Sequence, residues 1–415
     1  MQLLVVSYFN PPLRNSQSFQ IGRLLYHMPK EHRMFGVIAE DRTLQKDADL
    51  YPDYSGKFED LISIDNTFAS RGARIHLPGI YASWYLRAYA NIVRKWRDTT
   101  FDRIITFAAP MSANMLGLAL KRRLKRPWVA HFSDPWADNA HMGMGKLKRR
   151  CAQHFERMVM READTLVFTC PETHGYYVRA YPFIREKATY LEHSFDENCY
   201  REALRTTTKT LIIRHIGSLY GDRDLTTFLQ ALNNVGNKST DQDSVMFEVV
   251  GNIDKKYEKL FAYWEQNAPR TITIRRRAPV SYLESLALMK ESDVLLSIDM
   301  LSKNNIYLMS KLIDYLGAGR PILAIAPKQG ATSRVINDVG GWLVEPQDAI
   351  GMEATLETLV QHHRAGSLAQ DVPNADKCRA YSIDSHIEQY LKILRRSSED
   401  SMHPSAAEHH ETSAT

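Results

Sequence analysis

Cysteine is scarce in this 415-residue chain: only Cys151, Cys170, Cys199 and Cys378, with no CxxC spacing among them. That excludes a disulfide framework and a thiolate zinc site, and it suits a reducing, cytoplasmic setting. Long apolar runs are also missing. None reaches the ~18 residues that span a bilayer, so no membrane-crossing helix is expected. The opening "MQLLVVSYFNPP" has no basic region ahead of its apolar stretch and reads as a first strand rather than a secretion signal. No block of the chain is low in complexity except the end. There "SSEDSMHPSAAEHHETSAT" has no apolar periodicity, so residues 397–415 are expected to be a disordered tail, its His403, His409 and His410 at most a weak metal site.

What remains is ordinary for a globular protein. With 44% hydrophobic and 24% charged residues the chain can bury a core, and its length exceeds the roughly 250–300 residues at which one core stops growing. Two domains are therefore expected. The net charge of +5 is modest, but basic residues cluster at "KRRLKR" (121–126) and "KLKRR" (146–150), which points to an anionic partner other than nucleic acid.

Short apolar runs alternate with longer amphipathic ones. "LLVVSYF", "DRIITFAAP", "RPWVAHFSDP" and "DTLVFTC" form one series, and "TLIIRHIGSLY", "VMFEVVGN", "DVLLSID", "RPILAIAP" and "GWLVEP" form another. This is the rhythm of parallel strands covered by helices on both faces. It predicts an α/β protein of two Rossmann-like, doubly wound domains facing a cleft: residues 1–200 and 201–380, then a closing helix over 381–396 that crosses back to the first domain.

In such sheets ligands bind beyond the carboxyl ends of the strands. The candidate residues there are Gly217, Ser218 and Arg223 after one strand, Gly251 after the next, Ala278 after "TITIRRR", and the stretch leading to Asp314 after "VLLSID". Glycine directly after a strand allows close backbone approach, and a following helix N-terminus can hold an anion. Asp314 stands in the helix-like "SKLIDYLGAGRPILA" beside Lys311. On that stretch alone it reads as a solvated or ion-paired surface acid.

These stretches, in this order, resemble the retaining glycosyltransferases of the GT-B fold, in particular the large bacterial family 4. The carriers are "HIGSLYGDRDLTTFLQAL", "FEVVGN", "YLESLALMKESDVLLSID", "SKLIDYLGAGRPILA" and "GWLVEP", with "RPWVAHFSDPW", "FERMVMREADTLVFTC" and "LEHSFD" in the first half. The resemblance covers nearly the whole chain. It implies that Asp314 accepts hydrogen bonds from both ribose hydroxyls of a UDP- or GDP-sugar donor. It also implies that Arg223, Lys311 and the helix N-terminus at Ser310 neutralise the diphosphate, and that no cofactor or metal is needed.

Two expected features are absent. The family's second acid would fall on Ile306, and one cation of its usual pair would fall on Ser218. On the acceptor side "NPPLRNSQSF" offers Asn15 and Ser16 where relatives have glycines. Asp134 and His131, in "HFSDPW", are the candidate catalytic groups. For His131 a buried structural role stands beside the catalytic one; for Asp134 the alternative is an Asx-turn, and for Arg223 an ion pair with Asp222 or Asp224.

The implied function is transfer of a sugar to a polysaccharide, lipid-linked or other glycan acceptor, with retention. The alternatives are a sugar-nucleotide epimerase of the same fold or a catalytically idle partner subunit. The segment "SWYLRAYANIVRKWR", opening with a Ser83 cap, carries aromatic and basic residues on one helix. It is the expected contact with an anionic membrane surface on the cytoplasmic side, unless its apolar stripe is ordinary core.

Overall fold

The computed structural model describes residues 1–42, 44–47, 49–66, 81–139, 143–200, 209–240, 243–300 and 305–402. The first domain runs β1 (Gln2–Ser7), α1 (Ser16–Tyr26), β2 (Arg33–Glu40), β3 (Phe58–Asp65), α2 (Ala82–Lys95), β4 (Arg103–Ala108), α3 (Ser112–Leu124), β5 (Trp128–Phe132), α4 (Lys146–Glu162), β6 (Thr165–Phe168), α5 (Pro171–Ala180) and β7 (Ala188–Tyr190). Its strands pair in parallel in the order β3-β2-β1-β4-β5-β6-β7. β1 and β4 are almost wholly buried, as expected of central strands covered on both faces.

The second domain repeats the scheme with β8 (Leu211–Ile216), α6 (Thr226–Lys238), β9 (Val245–Val250), α7 (Glu258–Asn267), β10 (Ile272–Arg277), α8 (Tyr282–Glu291), β11 (Val294–Ile298), α9 (Ser310–Ala318), β12 (Ile322–Ile325), α10 (Ala331–Val339), β13 (Trp342–Val344) and α11 (Ala349–Arg364). The parallel order is β10-β9-β8-β11-β12-β13. In both sheets the order reverses once, between β1 and β4 and between β8 and β11. A crevice opens at each reversal because the flanking loops leave on opposite faces.

After α12 (Ala375–Cys378) the chain returns as α13 (Ile383–Met402). Tyr390 and Leu394 of α13 are fully buried in a core shared with Leu3, Val5 and Ile105 of the first sheet. The helix continues six residues past 396, into the stretch whose polar composition predicted disorder. The tail histidines 403, 409 and 410 lie outside the described residues. The two passages between the domains run side by side: Phe195 N–H donates to the Tyr381 carbonyl (2.9 Å), and Phe195 bridges in parallel to Ser382.

The segment expected to meet a membrane turns most of its apolar stripe inward. Trp84 and Ile92 of α2 and the following Trp96 are buried in the first-domain core with Phe35 and Phe101, while Leu86 stays outside at 62% exposure. The helix is not capped by Ser83. Its N-cap is Tyr81, and the Ser83 hydroxyl donates to Asn66 Oδ1 at 3.4 Å. Two of the five basic residues of the first run are neutralised locally, Lys121 by Asp164 (2.7 Å) and Arg122 by Glu162 (3.1 Å). No helix among the described residues is long and apolar enough to cross a membrane.

Candidate functional site

Both crevices open into one cavity of about 660 Å³ between the domains. Asn15, Ser16, His131 and Asp134 line it from the first domain, and Gly217, Ser218, Arg223, Gly251, Ser310, Lys311 and Asp314 from the second. Ala278 does not reach it; the cavity wall there is Pro279 and Val280.

The second-domain wall is built on two glycines whose backbone a larger residue would strain. Gly217 (φ +131°) and Gly251 (φ +144°) lie in backbone regions that side chains rarely adopt. A Cβ on Gly251 would stand 2.6 Å from the Gly217 carbonyl oxygen, and one on Gly217 would stand 2.6 Å from Lys311 Nζ. The missing side chains therefore let the β8 loop, the β9 loop and Lys311 close on each other.

Lys311 is half-buried among these groups and meets no carboxylate at ion-pair distance among the described residues. Its neighbour is His215 Nε2, 3.4 Å away. His215 Nδ1 faces the Leu296 carbonyl at 2.9 Å, so Nδ1 carries the hydrogen and Nε2 accepts from the lysine. Burial, and then the positive charge of Lys311, holds His215 well below its usual range and keeps it neutral. Burial and the Arg223 charge in turn push Lys311 down to about 7, against a smaller pull from Asp299.

Arg223 is 4% exposed. Its Nε donates to the Ile298 carbonyl (3.1 Å) and its Nη1 to the Tyr220 carbonyl (2.8 Å), and the guanidinium lies over the Tyr220 ring at 4.2 Å. The ion pair with Asp222 or Asp224 is not made. Asp222 takes Lys256 (3.0 Å), and Asp224 accepts the Thr226 N–H (2.8 Å) at the start of α6. Two cations thus converge beside the N-terminus of α9, where Met309 offers no side-chain cap.

Asp314 is at the cavity wall but already engaged. Its Oδ1 accepts from Arg23 Nη2 (3.1 Å) and from the Tyr282 hydroxyl (2.8 Å), and Arg23 also bonds Tyr282. The pair is buried, and it joins α1 of the first domain to α8 and α9 of the second. Burial raises the Asp314 carboxyl, while Arg23 and these hydrogen bonds oppose the rise. Neither Arg23 nor Tyr282 stands out in the sequence: Arg23 lies 291 residues from Asp314 and 259 from Tyr282.

On the first-domain wall Asn15 caps α1, its Oδ1 accepting the Ser18 N–H at 2.9 Å. His131 stacks on Phe107 (4.4 Å between ring centres), and its Nε2 lies 3.1 Å from the Tyr390 hydroxyl of α13. Burial pushes it down to about 3, and the same cause takes the nearby cavity residues His193 and His386 to about 4 and 3. These rings are neutral at physiological pH. Asp134 is different. It is exposed to the cavity and has no hydrogen-bond partner among the described residues, so no Asx-turn forms; desolvation between the cavity walls raises its carboxyl.

Ile306, where a second acid was missing, is a domain contact. Its side chain is 5% exposed, and its carbonyl accepts from the Thr173 hydroxyl (2.6 Å) and the Cys170 thiol (3.2 Å) of the first domain.

Two doubly wound parallel sheets closing on a polar cavity, with a C-terminal helix returning to the first, make a two-domain α/β chain of GT-B-like fold. Residues 48–192 match the family model described as a glycosyl transferase 4-like domain. Among solved structures, the chain is similar to Anabaena HepE in complex with UDP, with 14% identity, a TM-score of 0.64 and 95% of this chain and 100% of that one covered. It is similar to sucrose-phosphate synthase from Thermosynechococcus elongatus at 13% identity and a TM-score of 0.67, over 96% and 99% of the two chains. A candidate UDP-N-acetylglucosamine 2-epimerase from Listeria monocytogenes is similar at 9% identity and a TM-score of 0.59, over 96% and 97%. No curated protein matches the chain by sequence.

Proposed function

We propose that this protein transfers a sugar, with retention and without a metal, from a UDP- or GDP-linked donor in the second-domain half of the cavity to a glycan or lipid-linked acceptor on the first-domain half. The observation that carries the reading is the pair of cations on the cavity wall, Arg223 buried and Lys311 half-buried. Taking Arg223, and in part Lys311, out of water with no bound carboxylate among the described residues is unfavourable, and a diphosphate between Gly217–Ser218, Arg223, Lys311 and the α9 N-terminus would offset that cost. The same groups would stabilise the negative charge that grows on the departing nucleoside diphosphate. Ser218 contributes a hydroxyl and a backbone amide rather than a second cation, and Lys311 supplies the charge.

In this reading Asp314 holds the ribose through Oδ2, since Oδ1 serves Arg23 and Tyr282. The base lies near Pro279. Asp134 is the proposed catalytic carboxyl, an acid with no structural partner whose ionisation is raised towards neutrality. His131 serves it as a neutral neighbour on the same wall. Membrane association, if it accompanies a lipid-linked acceptor, would use the exposed part of α2 around Leu86 and the basic start of α4. Lys148 and Arg150 lie exposed there beside Leu147, which is itself 76% exposed.

The test is calorimetry of the purified protein with UDP and GDP, followed by donor turnover. We expect one nucleoside diphosphate to bind and its sugar conjugate to release nucleotide slowly in water. An idle partner subunit would release none, and an epimerase would change the sugar before releasing it.

A further inference from the structure

Of the carboxylates that line the cavity, Asp314 is tied to Arg23 and Glu192 to Arg334, and Asp134 stands on the acceptor wall. That leaves Asp299, at the carboxyl end of β11, on the same wall as the two cations. It is 9% exposed and rigidly held. Its N–H donates to the Ile325 carbonyl of β12 (2.9 Å), and its Oδ1 accepts from the Thr332 hydroxyl of α10 (2.8 Å). Oδ2 has no protein donor among the described residues. Neither Arg223 nor Lys311 forms an ion pair with it at contact distance, although its charge acts on Lys311.

A fixed carboxylate beside a diphosphate cradle repels the diphosphate, so on its own it weakens the site it lines. The balance changes if the ligand continues past the phosphates into a polyhydroxylated group. Sugar hydroxyls are donors, and a carboxylate oxygen fixed on its other side by a threonine is a directed acceptor for them. We propose that Asp299 is the residue that binds the transferred sugar, accepting one or two of its hydroxyls through Oδ2, and so distinguishes a nucleotide sugar from the bare nucleotide. This rests on the donor reading given above and adds to it the residue that recognises the group being moved.

The alternative role for Asp299 is a counter-charge that steadies Lys311 and Arg223. The two roles predict opposite changes in Asp299→Asn, which keeps Oδ1 for Thr332 and alters only Oδ2. Wild type and variant are titrated with UDP, GDP, UDP-glucose, UDP-N-acetylglucosamine and GDP-mannose, and the ratio of nucleotide-sugar affinity to nucleotide affinity is read for the conjugate that binds wild type best. If Asp299 binds the sugar, the ratio falls by about tenfold or more in the variant, while the bare nucleotide binds as well as before or slightly better. An unchanged ratio, with both ligands gaining together, makes Asp299 a counter-charge and overturns the proposal. So does a wild type that binds UDP or GDP but gains nothing from any sugar. Binding of no nucleotide at all would remove the donor reading itself, a different failure. Thr332→Val, which leaves the carboxylate in place but frees its orientation, should lower the same ratio by a smaller factor, and it serves if the asparagine variant does not fold.

Discussion

The two walls of the cavity are made of similar residue types but have opposite needs. On the first-domain wall the polar groups are mostly satisfied within the protein: Asn15 by the Ser18 amide, His131 by Tyr390, and the Ser133 hydroxyl by the Ala108 carbonyl at 2.6 Å. On the second-domain wall Arg223 is buried and Lys311 half-buried, with charge left over, and two glycines hold space that only backbone and a lysine tip enter. A satisfied polar group reports on the fold, whereas a buried group with unmet charge reports on a ligand. Asp314 sits between these cases, with one oxygen in each.

That comparison can be broken most directly at Asp314. Asp314→Ala leaves Arg23 buried without its counter-ion, so it should cost about 3–5 kcal/mol of stability whether or not nucleotide is present. Denaturant unfolding measures it. A variant that melts like wild type yet loses nucleotide would show that the carboxylate belongs to the ligand rather than to the domain contact.

Lys311→Met should do the reverse. Removing an uncompensated half-buried charge should leave the free protein as stable as wild type or more so, while nucleoside diphosphate affinity falls by roughly 10- to 100-fold. The pH dependence has a definite sign. Lys311 ionises near 7 in the free protein, below its ordinary value of 10.5. The full cost of its charge is therefore present below pH 7 and is relieved as pH rises from 7 towards 10.5, where the folded protein gives up its proton while the unfolded chain keeps it. A bound diphosphate favours the protonated form, so wild-type affinity should fall, by up to about tenfold per pH unit, as pH rises above about 7. Calorimetry at pH 7 and pH 8.5 reads this, and the methionine variant should show a flat profile over the same range.

The smallest effect is expected at Asn15. Asn15→Ala should cost about 1 kcal/mol of stability by uncapping α1 and leave donor affinity untouched. A shift in acceptor KM without loss of stability would return Asn15 to the acceptor site.

Much of this architecture was legible in the order of apolar runs, because central parallel strands are buried on both faces and leave an unbroken signal. The glycines at 217 and 251 were legible for a related reason, since each directly follows a strand, where the topology puts ligands; Arg223 and Lys311 lie further on, and their roles came from the resemblance. Long-range pairing was not. No local pattern says that Asp314 meets Arg23, that Asn15 spends its side chain on its own helix, or that Ile306 gives its carbonyl to Thr173. The segment 83–97 was ambiguous because aromatic and basic residues at helical spacing look alike on a membrane and on a sheet. Only the direction of Trp84, Ile92 and Trp96, set by the first-domain core, separates the two. Asp299 was visible at the end of "VLLSID", but its free oxygen depends on Thr332 and on a cavity assembled from both domains.

The paired passage at Phe195 and Tyr381 has a mechanical meaning. A domain hung on one strand of chain can swing and twist like a bead on a thread. Here the outgoing and returning strands are bonded to each other, and α13 anchors the return in the first core, so they act as one pin with a single axis. Rotation about that axis widens or narrows the cavity mouth, while sliding of one wall along the other is suppressed. In the proposed reading, a donor bound to the second wall would meet the first at the same height, and the pivot rather than the ligands would set their alignment.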